Sequence, residues 1–181
     1  MFKRLSPGLL FSMAALAAAL LTPLVVLFYP IFHVQTFLYD ASAFVLFPSG
    51  INFMLVSIAC VVVILFCILL AYKRNVLTYI ASVLLIGGSI GMLYMATLSY
   101  VKINDEQIVQ QHLFDEQIVR WDDVNEVVLE YVIGDVGEYI FTANDGKQII
   151  IPETGQFNSE AKSKIYQLTS QYNVRFIERE K

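Results

Sequence analysis

Charged side chains are scarce in this 181-residue chain, where Asp, Glu, Lys and Arg together make up only 15% of the residues. Soluble domains carry about 25% charged and roughly 45–50% apolar residues. This chain is instead 57% hydrophobic, with a mean hydropathy of +0.61. The shortage of charge excludes a disordered protein, a basic nucleic-acid-binding protein and an ordinary soluble globule. We therefore expect the lipid bilayer as a partner and no nucleic acid.

The few charges are also distributed unevenly along the chain. Residues 1–98 hold four basic side chains and one acidic side chain, Asp40, which leaves a formal charge of +3. Residues 99–181 hold 8 basic and 15 acidic side chains, which leaves −7. The composition predicts a transmembrane domain over residues 1–98 and a polar domain over residues 99–181.

Three long apolar stretches contain no Asp, Glu, Lys, Arg or His, at about residues 9–29, 51–72 and 76–98. A helix needs roughly 20 apolar residues to cross about 30 Å of hydrocarbon, so each stretch predicts a transmembrane helix. Each is also longer than the apolar core of a signal peptide, which is about 7–15 residues. Because ion and proton pathways place charged residues inside the bundle, these spans predict an anchor or complex-forming element and not a pore.

Basic residues near the span ends predict the orientation. One pair, Lys3 and Arg4, precedes the first span, and a second pair, Lys73 and Arg74, fills the turn between the second and third spans. Only Lys102 closely follows the third span. We therefore expect a multi-pass protein with a cytoplasmic N-terminus and an extracytoplasmic C-terminal domain.

The stretch between the first two spans, residues 30–50, is too apolar for an exposed loop. It contains Phe32, Phe37, Phe44 and Phe47 and neither Lys nor Arg. We predict a segment that lies in the membrane interface or packs on the spans. Its role is either that of a plain connector or that of a gate or lipid-contact element.

Small residues in the spans predict close contacts between helices. Gly87 and Gly91 form a GxxxG pattern in the third span, and Ala14 and Ala18 form a similar stripe in the first. Without large side chains two helix backbones can approach closely and gain dispersion contacts. We expect these residues to pack the three spans within one molecule, with a homo-oligomer as the alternative.

Cysteine is limited to Cys60 and Cys67, both in the second span. Two helical turns separate them by about 10 Å, whereas bridged Cα atoms lie within about 7 Å, which excludes a disulfide between them. A metal site would need further ligands. Both are therefore predicted to be small buried hydrophobic residues.

From Tyr100 onward the apolar residues alternate with polar ones, and short acidic or Asn-Asp-Gly turns interrupt them. This pattern predicts an antiparallel meander. We expect six strands: Tyr100–Ile103, Gln107–Phe114, Gln117–Trp121, Asn125–Ile133, Glu138–Ala143 and Lys147–Ile151.

A helical period follows the strands. Apolar residues recur on one stripe at Ala161, Ile165, Leu168 and Tyr172, and Asn158 or Ser159 can cap the helix. Asn173 can end it, and Val174–Ile177 can add a last strand. The predicted fold class is a membrane α + β protein, in which three transmembrane helices precede a small antiparallel β domain with a C-terminal helix.

This order of elements resembles the bacterial pleckstrin-homology-like (PH-like) domains that are attached to membrane spans in small bacterial membrane proteins. The resemblance covers residues 99–173 and is carried by the opening Tyr100–Ile108, by Leu113-Phe114, by Arg120–Val124, by the hairpin from Phe141 to Lys147 and by the late amphipathic helix. It implies a bacterial cell membrane and a small barrel capped by a helix. Six predicted strands precede the helix where a full PH barrel has seven. Phosphoinositide binding, a cytosolic role of eukaryotic relatives, does not transfer to an outward-facing domain.

The C-terminal domain contains few candidate catalytic or metal-binding residues. His112 has no neighbouring Ser, Cys or metal-spaced partner, which favours a surface histidine. Asp122 and Asp123 could form a carboxylate pair for acid–base chemistry, but neighbouring strand residues point to opposite faces, which favours a turn. The chain contains no GxGxxG, HExxH or CxxC motif, and its GxSxG match, Gly87–Gly91, lies inside the third apolar span and not in the C-terminal domain. We expect no catalytic residue, metal or cofactor.

Four acidic residues lie in two turns of the meander, namely Asp105, Glu106, Asp115 and Glu116. If the two turns share one end of the sheet, these carboxylates form a negative patch. With Trp121, which is either a stacking residue or a core residue, they are the predicted partner surface.

We expect a non-enzymatic, membrane-anchored module that binds a protein partner through an exposed strand edge or groove and scaffolds or regulates a membrane complex. The alternative is an auxiliary subunit or small carrier whose spans form a ligand path in an oligomer. A third hypothesis is an enzyme that acts on lipid through His112 and the nearby acids.

Overall fold

The computed structural model describes residues 6–131, 136–155 and 157–180. These residues form two compact units. The first, the helical unit, comprises residues 6–34 and 48–99, and the second, the β unit, comprises residues 35–47 and 100–180. Lys3 and Arg4, which contribute to the predicted orientation, and the predicted strand end at Ile133 lie outside the described residues.

Three long helices account for most of the first 98 residues: α1 (Pro7–Phe37), α2 (Gly50–Tyr72) and α3 (Val76–Met95). All three are long and apolar enough to cross a membrane, which confirms the three predicted helices. A short connection joins α2 to α3, and the side chain of Asn75 caps α3 by accepting a hydrogen bond from the backbone N–H of Thr78 at 2.8 Å.

Small polar side chains lie between the packed helices of the helical unit. Ser89 Oγ of α3 donates a hydrogen bond to the carbonyl of Ala59 in α2 at 3.3 Å. Asn52 Nδ2, at the start of α2, donates to the carbonyl of Ser99 beyond the end of α3. Tyr29 of α1 donates its hydroxyl to the carbonyl of Leu93 at 3.3 Å. The bonds of Ser89 and Asn52 are buried and that of Tyr29 is partly buried, so each gives a polar atom a partner in apolar surroundings.

The segment between the first two spans differs from the prediction of an interfacial connector. Helix α1 continues through Pro30 to Phe37, and residues Ala43–Pro48 form a strand, β1. Four successive residues of this strand, from Val45 to Pro48, are buried. Because residues on both faces of the strand are buried, its sequence shows no apolar–polar alternation. The sequence of β1 therefore resembles that of an apolar segment in the membrane interface.

The described residues of the β unit form two four-stranded sheets. After β1 the strands are β2 (Tyr100–Asn104), β3 (Gln107–Gln111), β4 (Glu116–Arg120), β5 (Val124–Tyr131), β6 (Glu138–Ala143), β7 (Gln148–Pro152) and β8 (Arg175–Glu180). The first sheet has the order β1-β2-β3-β4 and the second the order β7-β6-β5-β8. Strand β8 runs parallel to β5, whereas β5 and β7 run antiparallel to β6.

The core of the β unit lies between the sheets and the last helix, α4 (Ser159–Gln171). Asn158 Oδ1 caps α4 by accepting from the N–H of Ala161 at 2.8 Å. The helix buries Ala161, Ile165 and Leu168 in the core, as the helical stripe predicts. Asn173, at a φ of 55°, then turns the chain towards β8.

Candidate binding site at a free strand edge

Among the residues that the structure describes, strand β4 has a neighbouring strand on one side only. His112 donates its backbone N–H to the carbonyl of Asp115 at 2.7 Å, and Trp121 donates to Glu106 at 3.1 Å. In an antiparallel pair these hydrogen-bonded positions alternate with positions that face away. The backbone N–H and C=O groups of Glu116, Ile118 and Arg120 therefore point away from β3, along an open edge.

Strand β7 forms the facing edge of the second sheet. Ala143 donates to the carbonyl of Lys147 at 2.8 Å, which places the backbone groups of the even-numbered residues on the open side. Of these, Pro152 has no N–H. The carbonyl of Ile150 accepts a hydrogen bond from Gln110 Nε2 at 3.4 Å. The β7 edge is thus partly occupied, whereas the β4 edge is open.

A groove of about 580 Å³ lies beside the β4 edge, lined by Asp115–Val119 and by Lys147–Ile149. A second hollow of about 340 Å³ adjoins it and shares Ile118, Val119 and Lys147 with it. Val119 and Ile149 are buried, while Ile118 is 49% exposed. The groove therefore offers backbone hydrogen-bonding groups and an apolar side chain together.

Two glutamines occupy core-facing positions of the first sheet where β4 and β7 separate. Gln110 and Gln117 are directly paired across β3 and β4, two residues from the buried pair Ile108 and Val119. Since strand side chains alternate with a period of two, the glutamines share the face of that apolar pair. Both are only half-buried. Polar amides on a core-facing row indicate that the gap between β4 and β7 is accessible to water.

The groove carries mostly negative charge. Asp115 and Glu116 line it, Asp123 and Asp145 line the adjoining hollow, and Lys147 is the base that both share. Lys147 Nζ lies 2.9 Å from Asp145 Oδ2. This hydrogen bond and the backbone N–H of Lys147 lower the pKa of Asp145, and the same side-chain contact raises the pKa of Lys147.

The predicted negative patch of four acids is wrong in its geometry. Asp105 and Glu106 lie in the turn between β2 and β3, whereas Asp115 and Glu116 lie at the turn between β3 and β4. Successive turns of an antiparallel meander fall at opposite ends of the shared strand, about 17 Å apart for five residues. Asp105 is paired instead with Lys164 of α4, at 3.1 Å. Only Asp115 and Glu116 belong to the groove.

Trp121 is not part of an accessible surface, so its place in the predicted partner surface is corrected. Its side chain is fully buried, and Nε1 donates to the carbonyl of Asn104 at 2.9 Å. The ring lies edge-on to Phe141, with 5.9 Å between the ring centroids. The alternative interpretation of Trp121 as a core residue is confirmed.

The small residues predicted to pack the helices contribute unequally. A Cβ added at Gly87 or Gly91 would meet no atom within 4 Å, so neither glycine marks a close contact within this chain. In α1, Ala14 is exposed, while Ala18 is half-buried and lines a cavity of about 250 Å³ with Thr22 of α1 and residues of α2 and α3. The expected intramolecular contact at the GxxxG pattern is therefore wrong. The cavity walls carry no Asp, Glu, Lys, Arg or His, so the cavity does not favour the carrier hypothesis.

The residues considered for catalysis are not brought together. His112 is exposed in the turn before β4, and Asp122 pairs with Arg120 at 3.2 Å in a short 3₁₀ turn, Trp121–Asp123. Among the described residues, no three His, Cys, Asp or Glu side chains are placed to hold a metal ion. The open β4 edge is therefore the most specific candidate site of the β unit.

Comparison with known proteins finds no family model that matches this chain and no significantly similar curated protein.

Proposed function

We propose that this protein is a non-enzymatic, membrane-anchored module whose β unit binds a protein partner through the open edge of β4 and so scaffolds or regulates a membrane complex. The observation that carries the proposal is the row of outward-facing backbone groups at Glu116, Ile118 and Arg120 beside an open groove. An extended segment that adds to a sheet edge gains affinity from main-chain hydrogen bonds and specificity from alternate side chains. Ile118, half exposed, supplies the apolar contact.

The proposal includes a PH-like fold for the β unit and a bacterial cell membrane as its location. Seven strands precede α4 once β1 is counted, which removes the shortfall of one strand relative to a PH barrel. Four of these strands form the first sheet, three belong to the second, and α4 packs against the common core. Strand β8, which follows the helix and joins β5, is an addition to that pattern.

The proposed orientation places the β unit outside the cell. Ser170, an exposed residue near the end of α4, is a suitable position for a reporter thiol. A Ser170→Cys variant with Cys60 and Cys67 replaced by Ala is expected to react with a membrane-impermeant thiol reagent on intact cells. Labelling that occurs only after lysis would reverse the orientation.

The test of partner binding exploits the direction of one N–H group. Proline is tolerated on edge strands where its missing N–H faces outward, so Ile118→Pro removes a hydrogen-bond donor from the open edge and leaves the β3–β4 ladder intact. The full chain, extracted from its membrane in a mild detergent, is expected to migrate as a complex in native electrophoresis. Ile118→Pro is expected to shift it to the size of the monomer.

Ile150→Pro is the matched control, because Ile150 also directs its N–H outward, from β7, and is 46% exposed. We expect this variant to keep the complex. Near-ultraviolet circular dichroism around Trp121 reports whether each variant remains folded. A folded Ile118→Pro variant that keeps the complex would refute binding at the β4 edge.

A further inference from the structure

We infer that the strand added to the β4 edge is β4 of a second copy of this chain, in an antiparallel pair centred on Ile118. The inference rests on the proposed function, since it names the occupant of the same edge. It follows from three observations on the described residues: the direction of the backbone groups, the order of the side chains and the state of the other sheet edges.

The backbone of β4 is self-complementary. A two-fold axis at Ile118 places Ile118 opposite its own copy and Glu116 opposite Arg120 of the copy. All three residues direct their N–H and C=O groups outward, so each of these pairs is a hydrogen-bonded pair of an antiparallel ladder. The pairing satisfies the free groups of both copies and joins the two four-stranded sheets into one of eight.

The side chains on the same strand are complementary in charge. Glu116 and Arg120 have opposite signs and are equally distant from Ile118, so the two-fold axis brings each carboxylate against a guanidinium. Opposite charges directly across a strand pair are stabilising and like charges are destabilising. Arg120 now pairs with Asp122, but both side chains are more than half exposed, and such surface pairs are easily exchanged.

The other three sheet edges are less suited to this pairing. The last four residues of β1 are buried. Four of the six residues of β8 are charged, which is typical of an edge protected against pairing. Strand β7 ends at Pro152, which has no N–H, and its Ile150 carbonyl already accepts from Gln110. Of the sheet edges in the described part of the chain, the β4 edge is therefore the best suited to pair with a second copy.

Disulfide formation at the centre of the pair tests the register. Hydrogen-bonded antiparallel partners have Cα atoms about 5.5 Å apart, within the range of about 4.4–6.8 Å that a disulfide requires. In the full chain with Cys60 and Cys67 replaced by Ala, Ile118→Cys is expected to give a covalent dimer on mild oxidation in the membrane. Ile150→Cys, equally exposed on β7, is expected to remain monomeric. Absence of the dimer, or equal dimer at both positions, would overturn the inference.

Charge reversal tests the side-chain order independently. Glu116→Arg alone places two like-charged pairs in the interface, as does Arg120→Glu alone, and each is expected to weaken association on the order of tenfold or more. The double variant restores both opposite-charge pairs and is expected to associate like the original chain. Differently tagged copies of the two single variants, when co-expressed, are expected to associate with each other better than with themselves. Equal association in all combinations would contradict the proposed register.

The two proposals fail in different ways. Suppose that Ile118→Pro dissociates the complex but Ile118→Cys gives no covalent dimer. The edge then binds a different protein, and only the second-copy inference fails. If Ile118→Pro leaves the complex intact in the folded protein, the proposed function fails, and the inference fails with it.

Discussion

Asp40 Oδ2 lies 3.2 Å from Lys102 Nζ, in an ion pair that ties the segment after α1 to strand β2. Asp40 also accepts hydrogen bonds from the hydroxyl and the backbone N–H of Ser42, at 2.7 and 2.9 Å. These bonds from Ser42, followed by the contact with Lys102, lower the pKa of Asp40. The pair thus ties the segment that leads into β1 to strand β2, 62 residues later in the chain.

We expect Asp40→Asn to lower the thermal stability of the β unit at pH 7. Because the pKa of Asp40 is lowered on folding, its carboxylate stabilises the folded state fully above its ordinary pKa of about 4, and this contribution is lost as the pH falls from there through the lower pKa of the folded state. The difference in melting temperature between the variant and the original chain should therefore shrink steadily as the pH is lowered from 7 through the acidic range. Asp122→Asn, in an exposed pair, is the control and should change little. A difference that does not depend on pH would contradict the role of the charge.

Trp121 is the only tryptophan in the chain and gives a direct probe of the core. Because the side chain is fully buried, we expect blue-shifted fluorescence that a polar quencher in solution reaches poorly. Trp121→Phe leaves the carbonyl of Asn104 without its hydrogen bond, which is expected to cost about 1–3 kcal/mol of unfolding free energy. Denaturant unfolding of the variant measures this cost. Strong quenching in the folded protein would show that Trp121 is accessible.

The burial of the Tyr139 phenol predicts that the folded protein loses stability at high pH. It is buried against Phe157, with ring centroids 4.9 Å apart, and this burial, followed by the charges of Glu153 and Glu178, raises its pKa to about 12. The folded state therefore holds the phenolic proton more tightly than the unfolded chain, in which the pKa is about 10. The resulting stabilisation is complete below pH 10 and is lost as the pH rises from about 10 to 12.

Denaturant unfolding across this range tests the effect of Tyr139. The Tyr139→Phe variant, compared with its own stability at pH 8, is expected to lose stability less steeply between pH 10 and 12 than the original chain. Identical slopes for the two proteins would contradict the raised pKa.

The cap of α4 provides a fourth prediction. Asn158 accepts from the N–H of Ala161, whereas Ser159 is the first residue of the helix. Asn158→Ala is expected to lower the unfolding free energy by about 1 kcal/mol, and Ser159→Ala should have a much smaller effect. Chemical denaturation of the two variants compares them directly. Equal losses of unfolding free energy in the two variants would contradict the role of Asn158 as the cap.

The sequence predicts the elements with regular periods well. Strands β6 and β7 alternate between buried and more exposed residues, and α4 has one apolar stripe, so each leaves a period in the sequence. Strand β1 leaves none, because Val45, Leu46 and Phe47 are all buried. Its β-branched and aromatic residues, followed by Pro48 and Gly50, are the signal that could have revealed it.

The candidate site was only partly predictable. An exposed strand edge is expected of any meander, and two of the four acids in the predicted partner surface, Asp115 and Glu116, line the groove beside it. The two paired glutamines, Gln110 and Gln117, were not recognised, although polar residues at core-facing positions of a strand are visible once the register is known. The prediction of one patch from Asp105, Glu106, Asp115 and Glu116 is wrong, because the order of the turns along the chain does not show at which end of the sheet each turn lies.

Hydrogen exchange of the β4 amides in the full chain within its membrane tests the central claim most directly. Open edges exchange quickly, whereas amides in a hydrogen-bonded ladder are protected. Occupation of the edge predicts slow exchange at Glu116, Ile118 and Arg120, and fast exchange at these same positions when Glu116→Arg separates the copies. Exchange at Ile118 in the original protein as fast as in the exposed turn at His112 would contradict the account.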